Sequence, residues 1–174
     1  MEQNFTLIDH MDHLKAFKNY IGKTVMEISH CKYFYNDEPD SEADGDLEAR
    51  FDDGSVLTLS ILGDGESMVA KAEPMNIPDS FIIDDNSTCS WRRILLNEEP
   101  VWKDVVGAKL TDIEAMIDHW IDLKQKILSG CRLSFSNGHF IVFCNAGDNA
   151  RFMINDLSLV EKLDGVQTKL TSIT

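Results

Sequence analysis

Apolar residues recur along the chain with two periods. Leu7, Ile8, Met11, Leu14 and Phe17 fall at spacings of three and four, so the first segment reads as an amphipathic helix. Farther on the period drops to two. Leu57, Leu59 and Ile61 share a face with Phe51 and alternate with Val56, Thr58 and Ser60, which predicts a strand over residues 55–62. Residues 139–146 are apolar on both faces, with Ile141 and Phe143 set against Phe140, Val142 and Cys144, and predict a more central strand. Further strands are expected over 28–35, 67–72 and 150–154. A second helix near 91–106 is interrupted by Pro100 and is expected to be short or broken. Residues 116–128 suit a helix by spacing and a strand by alignment. Pro74, Pro78 and Asp84-Asp85-Asn86-Ser87 mark 73–90 as a connection, and a last helix is expected near 158–163.

The pattern repeats when the chain is slid along itself. At an offset of 85, Phe17-Lys18-Asn19-Tyr20-Ile21-Gly22 falls on Trp102-Lys103-Asp104-Val105-Val106-Gly107, with Val25 on Leu110 and Ile28 on Ile113. At an offset of 84, Phe51-Asp52-Asp53-Gly54 falls on Phe135-Ser136-Asn137-Gly138, and Gly63-Asp64 on Gly147-Asp148. Asp-Gly and Asn-Gly are favoured where a tight hairpin needs φ > 0. Gly22 and Gly107 suit a helix C-terminus for the same reason. The expectation is an α+β fold: one compact domain over residues 1–174, made of two pseudo-symmetric halves (about 1–87 and 88–174). Each half would carry a helix and an antiparallel sheet of hairpins.

Charge divides unevenly between those halves. The chain has 30 Asp+Glu against 16 Lys+Arg, a net of −14. Residues 1–87 hold 19 acids and 6 bases, a net of −13, whereas 88–174 hold 11 acids and 10 bases, a net of −1. Such acidity argues against nucleic acid as a partner, because phosphate contacts need clustered Lys and Arg. Asp37, Glu38, Asp40, Glu42, Asp44, Asp46 and Glu48 form a run with no base between Lys32 and Arg50. One reading is a solvated hairpin loop. The other is a surface that steers a basic partner, with Asp37, Glu38, Asp40, Glu42, Asp44 and Asp46 as its contact residues.

Catalytic and metal-binding patterns are few. The four cysteines form no C-x-x-C pair, which suits structural thiols in a reducing, cytoplasmic setting. No apolar run reaches the ~20 residues of a membrane span, and residues 1–6 lack a signal-peptide pattern. Asp40-Ser41-Glu42-Ala43-Asp44-Gly45-Asp46 resembles the start of a calcium loop, but Phe51 stands where the loop's bidentate Glu is required. His139 and Cys144 are five apart on a strand and face opposite sides. His10 and His13 make only half a zinc site and read as solvent-side helix residues. Asp64 and Asp148 follow glycines in turns. No enzyme chemistry, cofactor or metal is expected from these residues.

The repeated Gly-x-x-[Val/Leu]-x-x-Ile, followed by strand, [Asp/Asn]-Gly and strand in a small acidic chain, resembles bacterial immunity proteins of polymorphic and contact-dependent toxin systems. The resemblance covers most of the chain. It implies a compact α+β protein that binds a cognate toxin, often a basic nuclease, and blocks its active site. The other function expected is a small-ligand-binding protein or enzyme with a pocket between the halves.

Overall fold

The computed structural model describes residues 7–147, 149–161 and 164–174, leaving aside the side chain of Ala43. Residues 1–6, Asp148, and Lys162 and Leu163 at the end of the expected last helix lie outside the described residues. Helix α1 (Leu7–Lys15) forms where the three-and-four spacing placed it, and runs into a 3-10 turn at Ala16–Tyr20. Leu14, Phe17 and Tyr20 are buried, with Leu7 and Met11 packed beside them.

Among the described residues, eleven strands follow. They are β1 (Val25–Tyr35), β2 (Glu38–Phe51), β3 (Val56–Ile61), β4 (Met68–Lys71), β5 (Phe81–Asp84) and β6 (Ser87–Leu95), then β7 (Leu110–Trp120), β8 (Gln125–Phe135), β9 (Phe140–Asn145), β10 (Ala150–Ile154) and β11 (Val166–Ser172). They join one antiparallel sheet in the order β11-β7-β8-β9-β10-β2-β1-β6-β5, with β3 and β4 branching from β2. The branch arises because β2 is long: Asp44 meets Ala150 of β10, while residues 47–50 pair with β3.

This architecture overturns the expected α+β fold of two halves, each a helix with its own sheet. The molecule is mostly strand, in one sheet, with one α-helix among the described residues. No helix forms over 91–106. Trp91 lies within β6, and residues 97–107 run as successive turns around Pro100, which lacks the N–H that a helix would use. The ambiguous stretch 116–128 is the end of β7, a turn and the start of β8. The expected connection 73–90 contains β5 and the start of β6. Its first part, residues 72–80, crosses the outer face of β3, where Thr58 Oγ1 donates to the Glu73 carbonyl at 2.7 Å. That cover explains why β3 is buried on both faces, Thr58 and Ser60 included.

Locally, the two long hairpins follow the same register. β1 and β2 pair Val25 with Phe51 and Ile28 with Ala49; β7 and β8 pair Leu110 with Phe135 and Ile113 with Leu133. Each ladder slips at the matching place, after Val25 and after Leu110. The hairpins meet at the Thr24–Lys109 bridge through reciprocal bonds. Gly22 N–H donates to the Leu110 carbonyl and Gly107 N–H to the Val25 carbonyl, both at 2.7 Å. One apolar cluster takes Leu57 and Leu59 from β3, Ile141 and Phe143 from β9, and Phe135 from β8.

Candidate partner-binding surface

The acidic run is strand β2, not a loop, and its character changes along its length. At its start Asn36 and Asp37 adopt positive φ, 47° and 65°, and reverse the chain between the paired residues Tyr35 and Glu38. Asn and Asp tolerate that conformation better than other side-chain-bearing residues. β6 braces this tip. The Thr88 N–H donates to Asn36 Oδ1 at 2.8 Å, Tyr35 donates its hydroxyl to Ser87 Oγ at 3.1 Å, and Arg92 pairs with Asp37 while lying over the Phe34 ring. Glu38, Asp40 and Glu42 are exposed, and Asp40 Oδ1 accepts the Glu42 N–H at 2.9 Å.

Beyond this point the carboxylates turn to internal partners. Asp44 accepts from Lys32 Nζ at 2.7 Å and lies 3.6 Å from His30 Nδ1. Burial lowers the His30 pKa against the pull of Asp44. Asp46 is half-buried, and burial raises its pKa above the ordinary carboxylate range. Glu48 is buried and is held by Arg93, Arg50 and the Met75 N–H. Of the expected contact residues, Asp37, Glu38, Asp40 and Glu42 therefore form one outward group, while Asp44 is paired with Lys32 and Asp46 is half-buried.

Sequence reasoning did not find the neighbour of this tip. On the far side of β6, strand β5 carries Phe81, Ile82 and Ile83, all exposed. The Pro- and Asp-rich flanks hid them, because such flanks mark connections.

Other candidates resolve into structural roles. His10 is buried rather than on the solvent side of α1, and burial lowers its pKa; His13 is exposed. All four cysteines are buried and in no disulfide, and burial pushes the Cys31 thiol up to about 11, away from nucleophilic character. His139 hydrogen-bonds with Asn155, while Cys144 is buried. Residues 40–46 lie in a strand, and no metal-holding group of three His, Cys, Asp or Glu side chains occurs among the described residues. A cavity of about 360 Å3 lies where Gly65 and Glu66 face Asp118, Trp120 and Asn145. Nearby, Asn145 Nδ2 donates to the carbonyls of Leu62 and Ser67, tying β9 to the β3–β4 turn. Among the described residues no helix is long and apolar enough to cross a membrane. No family model, curated protein or solved structure matches this chain.

Proposed function

We propose that this is a cytoplasmic binding protein that neutralises a basic protein, most simply a cognate bacterial toxin domain, in the manner of an immunity protein. The observation that carries the reading is the outward group Asp37, Glu38, Asp40 and Glu42, presented on a braced hairpin while the inner acids of the same strand are engaged. A concentrated, exposed field of one sign accelerates encounter with a surface of opposite sign. The reciprocal bonds between the β1–β2 and β7–β8 hairpins further support an origin by internal duplication, after which the charge accumulated in one copy.

The test is a pull-down from the source cell with mass spectrometry to identify the partner, followed by association kinetics of the purified pair. Glu38→Lys, Asp40→Lys and Glu42→Lys are combined, because these side chains are exposed and their reversal spares the Asp44–Lys32 pair. The triple variant should fold, associate at least ~10-fold more slowly, and protect cells poorly. Unimpaired association and protection would make the run a solvated strand and nothing more.

A further inference from the structure

β5 ends the sheet. It pairs with β6 along one side, and no strand among the described residues pairs with the other. Such an edge presents backbone N–H and C=O groups that can template another strand. Its side chains are equally open. Phe81 and Ile82 project to opposite faces, the ladder to β6 slips at Ile83, and the three side chains are 52%, 76% and 59% exposed. Tyr35 extends the apolar row across the sheet, since Phe81 pairs with Cys89 and Cys89 with Tyr35. Among the described residues no packing accounts for three adjacent exposed apolar residues on an open edge.

The surrounding charge selects what could cover them. Asp79 precedes β5, Asp84 closes it and Asp85 follows, all exposed, and the Glu38 row lies at the same end of the sheet. A second copy of β5, antiparallel and centred on Ile82, would set Asp84 and Asp85 against Ser80 and Asp79 of its mate. Like charges so placed oppose self-pairing. A strand flanked by Lys or Arg meets complementary charge instead.

We propose that β5 is the docking edge for an extended basic segment of the partner protein, added as a further antiparallel strand. The proposal rests on the basic-partner reading above. Ladder hydrogen bonds supply affinity, alternate apolar side chains meet Phe81 or Ile82, and the acids select by charge.

The probe is a labelled peptide of about nine residues alternating Lys and Val, within the usual strand length, with a Glu–Val peptide as control. Binding to the full chain is followed by fluorescence anisotropy, and hydrogen exchange is read at residues 81–84. The Lys–Val peptide should bind, weaken with salt and slow exchange at 81–84, whereas the Glu–Val peptide should not bind. Ile82→Pro should weaken binding about tenfold, the value of one or two ladder bonds. Exchange on the parent protein decides the matter if that variant misfolds. Absence of binding, absence of protection at 81–84, equal binding of both peptides, or self-association through β5 would each overturn the proposal. Weakened binding in the Glu38, Asp40 and Glu42 triple variant without protection at 81–84 would sink the edge alone and leave the acidic-surface reading standing.

Discussion

Glu48 and Asp46 stand two residues apart on β2 and burial pushes both carboxyls up, yet their partners leave them shifted in opposite directions. Burial pushes Glu48 up, but Arg93, the Met75 N–H at 2.6 Å and Arg50 outweigh it and hold the carboxyl below its ordinary range. Arg93→Ala leaves a buried carboxylate short of donors. It should cost about 3 kcal/mol, the lower end for a broken buried pair because Arg50 remains. Glu48→Gln leaves two arginines that are 32% and 42% exposed and can reach water, so about 1 kcal/mol should be lost. Urea unfolding checks the order, and a larger loss from Glu48→Gln would contradict it. The stabilisation from Glu48 is whole above the ordinary carboxylate range and is lost as pH falls through its lowered folded value. For Asp46 the sign reverses. Burial raises its pKa, offset only in part by Ser60 and Lys71, so the folded state holds the extra proton. Stability then falls as pH rises through that window. Asp46→Asn should raise the melting temperature at pH 7, with the gain vanishing below pH ~3.9, where the parent residue is protonated in both states. A variant no more stable than the parent at pH 7 would show that Asp46 is solvated.

At the scale of elements, the hairpin turns were legible and the helix count was not. Asp53-Gly54 and Asn137-Gly138 carry a local signal, and each forms a turn, with Gly54 at φ +81° and Gly138 at φ +87°. Leu57, Leu59, Phe135, Ile141 and Phe143 were legible as core because period-two alternation survives wherever one face meets that core. Residues 91–106 misled because β6 and the turns after it place apolar residues at mixed spacings. Trp102 and Val105 are buried there without a helix. The acidic strand was hidden because its charges interrupt the apolar pattern, and ladder bonds to β1 hold it regardless. Charge alone pointed to the candidate surface; which acids turn inward is decided by Lys32, His30 and Arg93 on strands β1 and β6. Matched elements should respond alike. Gly22, at φ +96°, and Gly107, at φ +85°, hold equivalent places beside the Thr24–Lys109 bridge, with open space where a Cβ would stand. Gly22→Ala and Gly107→Ala should therefore each cost about 1–2 kcal/mol, the left-handed penalty for a side-chain-bearing residue. Denaturation that finds one costly and the other neutral would break the equivalence.

For the whole molecule, the decisive fact is that both meanders feed one apolar cluster. Leu57 and Leu59 of β3 lie in it with Ile141 and Phe143 of β9, and Leu14 of α1 is buried there too. The second set of strands adds only a small cluster of its own, Met116, Val142 and Cys144, so the shared core dominates and the chain should unfold as one cooperative unit rather than half by half. Tryptophan placement makes this measurable. Trp91 sits in β6, which pairs with β1, and Trp120 at the end of β7, which pairs with β8. Trp102→Phe with Trp120→Phe leaves Trp91 as reporter; Trp91→Phe with Trp102→Phe leaves Trp120. Truncating a fully buried aromatic at Phe143→Ala should cost roughly 3–5 kcal/mol, from lost transfer energy and the cavity left behind. If the core is shared, that loss appears in full at Trp91, which lies on β6 beside β1 and away from β9, and both reporters shift to lower urea together. A Phe143→Ala variant that moved the Trp120 transition and left the Trp91 transition in place would show two cores. The charge-laden first half would then be a separable unit, free to unfold without its neutral neighbour.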